Sequence, residues 1–271
     1  MDSIRAYNER RWNALVEARA VFTRPALDLT ETTARALIDP HGLLGIVRGR
    51  SVLCLASGGG KQSAAFGVLG AQVTVADICE PQLATDRSVA AIYGYSIQTV
   101  EADMRDLSAL GDAVFDLVHH AYSINFIPDP SVVFSQIGRV LKPGGTYIAF
   151  ANPFAQGVSP SDWRGDGYPL RSPYEDGLEI EYRDEPWVLG SSSTDRASAL
   201  PPPREYRHTL SRIINSLTEM GFIPRYLSEH RGESEDDSPG TWVRFTSILP
   251  PWFDLWTWYR PDLAMQPNRQ R

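Results

Sequence analysis

Residues 51–60, SVLCLASGGG, decide the fold of this chain. Val52-Leu53-Cys54-Leu55 is a continuous apolar run, which is typical of a parallel strand buried on both faces of its sheet. The run leads into the glycine turn Gly58-Gly59-Gly60. Glycines allow a ligand to approach the backbone there, because no side chain blocks it. The stretch therefore predicts an open α/β sheet with a ligand site at the carboxyl end of its first strand.

Strands and helices alternate from this stretch to residue 152. The predicted strands cover residues 52–55, 72–76, 96–101, 115–119 and 146–151, and the helices between them include 81–93 and 131–140. This order indicates a parallel, doubly wound sheet with right-handed crossovers.

We expect one domain over residues 1–271, in four parts. Residues 1–50 read as a helical cap and residues 51–152 as the core. Residues 153–205 are rich in Pro, Gly, Ser and Asp, and so long a stretch inside a compact domain indicates a functional lid. Residues 206–271 contain the C-terminal helix and strands, with the helix predicted over about 204–220 and a strand over 222–230.

The C-terminal run WFDLWTWY, residues 252–259, allows two interpretations. It is either an exposed aromatic tail that anchors a partner or membrane, or the last strand of the sheet. Aromatic composition and the flanking prolines favour the strand. A strand would place its three tryptophans in the core.

Composition narrows the possible partners and the location. A net charge of −7 argues against nucleic acid and anionic membranes, which favour a basic surface. The N-terminus is too charged for a signal peptide, and no apolar run approaches the roughly 20 residues of a membrane span, so we expect a cytoplasmic protein. Cys54 and Cys79 show no metal-ligand spacing and are predicted to be reduced core thiols, with no metal site.

The spacing around the glycine turn distinguishes among three kinds of ligand. A dinucleotide fingerprint requires glycine where Ser63 stands, and a phosphate loop requires glycine at Leu55 and Ser or Thr at Gln62. A nucleoside without pyrophosphate fits better. Asp77 ends the second predicted strand, where its carboxylate can accept from two ribose hydroxyls. Asp103 and Met104 follow the third strand and could bind the amino group and ring face of adenine.

Four segments carry a resemblance to a known family: LCLASGGGKQS from residue 53, DICEPQLATD from residue 77, HHAYSINFIPDP from residue 119 and LKPGG from residue 141. They resemble the class I S-adenosylmethionine (SAM)-dependent methyltransferases, and more narrowly a bacterial subgroup with an LCLASGGGxQ cofactor loop. The resemblance implies SAM as cofactor and a Rossmann-like, doubly wound, seven-stranded sheet. That sheet would be mostly parallel, with residues 252–259 as an antiparallel last strand, a helical N-terminal cap and a lid insertion. Residues 240–244 would lie in the loop before that strand.

The resemblance also implies a set of cofactor-binding residues. The methionine-binding loop would contain Ala56, Ser57, Gly58 and Gly60, the ribose would lie near Asp77, Ile78 and Gln82, and Asp103, Met104 and His120 would complete the site. Cys54 departs from the family, since most members have an acidic residue there to anchor the amino group of SAM. That group would then depend on backbone carbonyls around Ala56 and His120.

Candidates for a general base are few. His120 ends the fourth strand, and His208 begins the predicted C-terminal helix in a segment similar to the family's H-[ST]-L. Asp184 and Glu185 lie in a predicted lid strand over 179–187, and Tyr7 lies on the N-terminal helix. The alternatives are that the histidines only shape the pocket or pack, and that the two acids are solvated. Our hypothesis is that His208, oriented by Asp184 or assisted by Tyr7, deprotonates or positions the nucleophile.

The lid supplies the only hints about the methyl acceptor. Its aromatic residues are Trp163, Tyr168, Tyr174, Tyr182 and Trp187. Aromatic walls suit a small specialised metabolite such as an indole, phenol or amine, as in natural product biosynthesis, unless these rings form the lid's own core. Alternative functions are methylation of a protein or tRNA, and SAM binding without catalysis. We expect a small-molecule acceptor, no nucleic-acid or membrane partner, and a monomer or homodimer.

Overall fold

The computed structural model describes residues 2–182, 184, 188–189, 200–232 and 235–265. Its main sheet contains seven strands in the spatial order β3-β2-β1-β4-β5-β9-β8. They are β1 Ser51–Leu55, β2 Gln72–Asp77, β3 Ile97–Glu101, β4 Phe115–His120, β5 Leu141–Ala151, β8 Phe222–Glu229 and β9 Phe253–Tyr259. Strands β1 to β5 pair in parallel, and β9 is antiparallel to both β5 and β8. The predicted mostly parallel sheet with an antiparallel last strand is confirmed.

Helices cover both faces of this sheet. They are α1 Ser3–Glu17, α2 Glu31–Ile38, α3 Gln62–Val68, α4 Glu80–Tyr93, α5 Pro130–Val140, α6 Leu210–Glu219 and α7 Trp242–Ile248. Successive residues of a strand point to opposite faces. Accordingly, Leu53 joins the core cluster that contains side chains of α5 and α6, and Cys54 joins the cluster that contains those of α2 and α3. Both cysteines are free and buried, as expected of core thiols.

The aromatic C-terminal run forms β9 and is not a tail. Its register against β5 pairs Tyr147 with Thr257. The expectation that all three tryptophans enter the core was wrong. Trp256 is buried, whereas Trp258, which points to the same face two residues later, is 38% exposed near the end of the strand.

Two short strands organise the lid. They are β6 Glu179–Glu181 and β7 Arg204–Tyr206, which pair with each other in an antiparallel two-stranded sheet. The helix predicted from about residue 204 therefore begins later, at Leu210, where the Thr209 side chain caps it. Residues 240–244 also differ from the expected loop, since helix α7 begins at Trp242 with a Thr241 cap.

Helix α1 is fixed to the core by polar contacts. Asn8 donates to the carbonyl of Phe126 at 3.0 Å, and Asp2 forms an ion pair with Arg105 at 2.6 Å. These contacts place α1 across the edge of the sheet where β2, β3 and β4 end. In the part of the chain that the structure describes, no helix has the length and apolar character to cross a membrane.

Candidate functional site

A cavity of about 670 Å³ lies at the carboxyl ends of the parallel strands. Ala56, Asp77 and Tyr122, which follow or end β1, β2 and β4, contribute to its wall. Helix α1, the lid and α7 supply the opposite walls. Its position is that of ligand sites in open α/β sheets.

Asp77 lies beside the glycine turn. Its carboxylate accepts from the backbone amide of Gly58 at 2.9 Å and from that of Cys79 at 2.9 Å. Burial raises the pKa of Asp77, and the hydrogen bonds from these amides oppose that rise. Each carboxylate oxygen keeps a lone pair with which it can accept a further hydrogen bond.

The glycine turn needs its glycines for space as well as for conformation. A Cβ added at Gly58 would lie 2.6 Å from the Cβ of Gln82 and 3.0 Å from Asp77 Oδ2. Gly59 has a φ of +104°, in the left-handed region that favours glycine. Ser57 Oγ and Gln82 Oε1 are buried without a hydrogen-bond partner in the described part of the chain, and both residues line the cavity. A polar ligand would satisfy these atoms.

Asp86, on α4, holds the turn from the side away from the cavity. Its carboxylate accepts from the amides of Gly59 at 2.9 Å and Gly60 at 3.0 Å, and from the hydroxyl of Ser63. Burial raises its pKa to about 6, against the hydrogen bonds from Ser63, Gly59 and Gly60. Gly60 thus serves the turn and does not line the cavity. Asp86 was not among the predicted site residues, because its spacing from the turn carries no local signal.

Asp103 and Met104 line the next part of the wall. Arg105 binds the Asp103 carboxylate through both Nε, at 3.0 Å, and Nη2, at 2.6 Å. The same guanidinium reaches Asp2, the N-cap residue of α1. This bridge, which sequence reasoning did not find, ties the cap helix to the wall.

A second group of polar side chains lies across the cavity. Glu205 accepts from the hydroxyl of Tyr122 at 2.9 Å, from that of Tyr182 at 2.8 Å and from the amide of Gln156 at 2.9 Å. Asp184 pairs with Arg11 of α1 at 2.5 Å. Of these residues, Tyr182 and Asp184 were singled out from the sequence. Glu205 was not, because its surroundings are assembled from four separate segments.

Three of the four expected catalytic side chains do not reach the cavity. His208 is fully buried, and its Nε2 lies 3.2 and 2.9 Å from the carbonyls of Ile124 and Ile127. Burial lowers its pKa. His120 contacts Tyr147 Oη at 3.0 Å and Ser123 Oγ at 2.7 Å, and burial lowers its pKa to about 3. Both histidines therefore match the packing alternative.

Tyr7 faces the lid and not the cavity. Its hydroxyl donates to the carbonyl of Pro202 at 2.7 Å, and the guanidinium of Arg204 lies 4.2 Å from the centre of its ring. Asp184 is the one expected catalytic residue that lines the cavity. Glu185 lies outside the described residues.

Most of the lid's aromatic side chains pack on each other and on α7. The ring of Trp163 lies 5.3 Å from that of Tyr168, which lies 5.1 Å from that of Phe245. Tyr174 stacks on Phe154 at 5.5 Å. Only Tyr182 of the expected set lines the cavity, among the described residues; Trp187 lies outside them. Trp163, Tyr168 and Tyr174 thus contact neighbouring rings and do not line the cavity, although Tyr174 is half exposed.

Comparison with known proteins agrees with this geometry. Residues 53–149, which contain the glycine turn, Asp77 and Asp103, match the family model of a methyltransferase domain. This stretch of the chain is therefore similar to methyltransferase domains. Solved structures of the same fold are SAM-dependent methyltransferases, which agrees with the cofactor predicted from the glycine turn.

Relatives of this methyltransferase domain include two curated bacterial proteins. The uncharacterized methyltransferase YbaJ of Bacillus subtilis is 34% identical over 166 residues, which are 56% of this chain and 64% of YbaJ. A ubiquinone biosynthesis O-methyltransferase of Xanthomonas oryzae is 36% identical over 153 residues, which are 54% of this chain and 57% of that protein. The chain therefore matches less than two thirds of the length of each of these relatives.

Solved structures share the fold of the methyltransferase domain. A SAM-dependent methyltransferase from Mesorhizobium loti has a TM-score of 0.58 at 20% identity, covering 86% of this chain and all of that one. The 1,6-didemethyltoxoflavin-N1-methyltransferase of Burkholderia thailandensis, solved with bound 1,6-didemethyltoxoflavin and S-adenosylhomocysteine, has a TM-score of 0.57 at 18% identity. It covers 94% of this chain and 88% of that one.

Proposed function

We propose that this chain transfers a methyl group from SAM to a small aromatic or nitrogen-containing molecule of specialised metabolism. The observation that carries the proposal is the single cavity, which joins the wall around Asp77 and Asp103 to the wall around Tyr122 and Glu205. Its volume of about 670 Å³ lies within the range of small-molecule sites, roughly 300–1,000 Å³. Such a volume favours a small acceptor over a protein or tRNA.

The residues on one wall fit SAM. Asp77 would accept from the ribose hydroxyls, with Ile78 and Gln82 beside it. Ala56, Ser57 and Gly58 would contact the methionine part, and Asp103 and Met104 the adenine. The buried, unpartnered oxygens of Ser57 and Gln82 support this assignment, since a ligand with several hydroxyl and amino donors would satisfy them.

SAM supplies an electrophilic methyl group on a sulfonium. The protein contributes alignment of the acceptor nucleophile with that group, which can supply several kcal/mol of the barrier reduction. The wall made by Trp12, Tyr122 and Tyr182 would orient the acceptor, and closure by α1 would exclude water.

Cofactor binding can be tested first. We expect S-adenosylhomocysteine to bind in calorimetry and to co-purify in mass spectrometry. Asp77→Ala should remove most of the affinity, whereas Asp106→Asn, an exposed carboxylate outside the cavity, should not. Absence of binding to the unaltered protein would refute the proposal.

Catalysis is tested with labelled SAM and a panel of indoles, phenols and amines. Methylated product would separate an enzyme from a SAM-binding module without catalysis. Labelling confined to added protein or tRNA would instead support a macromolecular acceptor.

A further inference from the structure

Glu205 is a buried carboxylate that lies outside the wall proposed to bind SAM. Only 1% of its surface is exposed, yet it borders the cavity on the side opposite Asp77. Strand β7 carries it, and the two phenols that donate to it come from the end of β4 and from the lid. Side chains of the lid and of the segment after β4 therefore meet at one carboxylate.

The hydrogen bonds at Glu205 fix the direction of both phenols. Burial raises the pKa of Tyr122 well above its usual value, and so does the nearby charge of Glu205. Burial and the same charge act on Tyr182. Both phenols therefore remain protonated and donate their single proton to Glu205. Their oxygens can then only accept hydrogen bonds from a bound molecule.

The charged side chains in this region also favour a bound molecule that donates hydrogen bonds. Burial and the nearby charge of Asp184 raise the pKa of Glu205, against the hydrogen bonds that Glu205 accepts. Arg11 pairs with Asp184 and also donates to the carbonyl of Pro201. Of the described residues that line the whole cavity, five are carboxylates and three are cationic. The cavity therefore favours a cation or a hydrogen-bond donor over an anion.

Aromatic rings border the same wall. Phe126 lies edge-to-face with Trp12 and with Tyr122, with ring centres 6.1 Å apart in both pairs. Ring faces attract cations, and flat rings pack well among them. The wall thus combines apolar contact area with hydrogen-bond acceptors.

We propose that Tyr122, Tyr182 and Glu205 form the acceptor-binding subsite, and that it selects molecules that present an amine or a ring N–H. The phenol oxygens of Tyr122 and Tyr182 accept from the nitrogen-bound hydrogens. Glu205 acts as a positioning residue that orients both phenols and supplies negative charge. Carboxylate acceptors are disfavoured, because Glu205 and Asp184 place negative charge beside them. This proposal rests on the proposed methyltransferase function for its biological meaning, although its test does not require turnover.

The test uses probes matched in shape and different in charge. Tryptamine, tryptophol and indole-3-propionate share the indole ring and carry a positive, a neutral and a negative side chain. Their affinities are measured by calorimetry at pH 7.5, with and without saturating S-adenosylhomocysteine. We expect tryptamine to bind at least tenfold more tightly than indole-3-propionate. Equal or tighter binding of the carboxylate would overturn the proposal.

Three variants test whether the preference for tryptamine depends on the residues of the subsite. Glu205→Gln keeps the size of the side chain, removes its charge and should reduce the tryptamine preference at least fivefold. Tyr122→Phe and Tyr182→Phe each remove one accepting oxygen and should weaken tryptamine more than indole-3-propionate. If Glu205→Gln fails to fold, the two tyrosine variants still test the proposed subsite. Tyr226→Phe, on an exposed tyrosine of β8, serves as the control. A preference that survives all three variants would contradict the role assigned to them.

Failure of the proposed methyltransferase function can be told apart from failure of the subsite proposal. Loss of S-adenosylhomocysteine binding in the unaltered protein would overturn the SAM assignment, and the tryptamine preference would still report on the subsite. Conversely, intact S-adenosylhomocysteine binding with no preference between the probes would overturn the subsite alone.

Discussion

Asp86 stabilises the glycine turn through three hydrogen bonds, and burial raises its pKa to about 6. Above that pH the carboxylate accepts from both turn amides. Below it, a proton occupies one oxygen and competes with them, so the affinity for S-adenosylhomocysteine should fall between pH 7 and pH 5.

Ser63→Ala tests this link. The Ser63 hydroxyl lowers the pKa of Asp86, so removing it should raise that pKa and move the loss of affinity to higher pH. Calorimetry across pH 5–8 measures the midpoint. Ser88→Ala, on the exposed side of α4, is the control and should leave the midpoint in place. An unchanged midpoint in Ser63→Ala would show that Asp86 is not the titrating group.

A substitution at Gly58 tests whether binding needs the space beside Asp77. A methyl group there would collide with the Gln82 Cβ and the Asp77 carboxylate, both held by buried structure. We expect Gly58→Ala to weaken S-adenosylhomocysteine binding at least tenfold, which corresponds to about 1.4 kcal/mol. Gly167→Ala, where an added Cβ meets nothing within 4 Å, should bind as the unaltered protein does. Equal affinities in the two variants would exclude the turn as the binding site.

At the level of elements, α1 closes the cavity and depends on a few polar contacts. Asn8→Ala would leave the carbonyl of Phe126 without its donor, a loss of about 1–3 kcal/mol if the helix remained in place. We expect faster proteolysis within α1 and a several-fold weaker affinity for S-adenosylhomocysteine. Glu17→Ala, exposed on the same helix, should change neither.

The elements that could be predicted are those with a local pattern. Strands β1 to β5 carry apolar runs with turn residues between them, and the sequence analysis placed all five. The pairing of β6 with β7 joins short polar segments more than twenty residues apart, and nothing local indicates it. The Thr241 cap of α7 was a usable signal that the sequence analysis did not apply. The site residues also differ in whether a local pattern indicates them. Asp77 could be predicted because it follows a strand. Glu205 could not, because its partners come together only in the folded chain.

At the scale of the whole molecule, Asp254 joins distant segments. It lies 2.6 Å from His230 after β8 and 3.5 Å from His41 after α2, and it accepts from Trp256. Burial alone would raise the pKa of Asp254, but the bonds from His230 and Trp256 and the nearby positive charge lower it below its usual value of 3.8. Its contribution to stability is therefore complete above about pH 4 and is lost as the pH falls further.

Asp254→Asn measures that contribution. We expect the free energy of unfolding in urea at pH 7 to fall by about 1–3 kcal/mol, because the charged acceptor is lost. The difference from the unaltered protein should shrink below pH 4, as Asp254 itself becomes protonated. Asp262→Asn, at an exposed site, is the control. A difference that stays constant down to pH 3 would contradict the assignment.

The two walls of the cavity come from different stretches of the chain. Residues 56–104 supply the wall assigned to SAM, whereas Arg11, Tyr182, Glu205 and Trp252 reach the opposite wall from α1, the lid and the C-terminal region. Mutation in those outer stretches can therefore change the acceptor while the methyl-donor site is inherited intact. A directed-evolution library confined to residues 153–206 would exploit that separation.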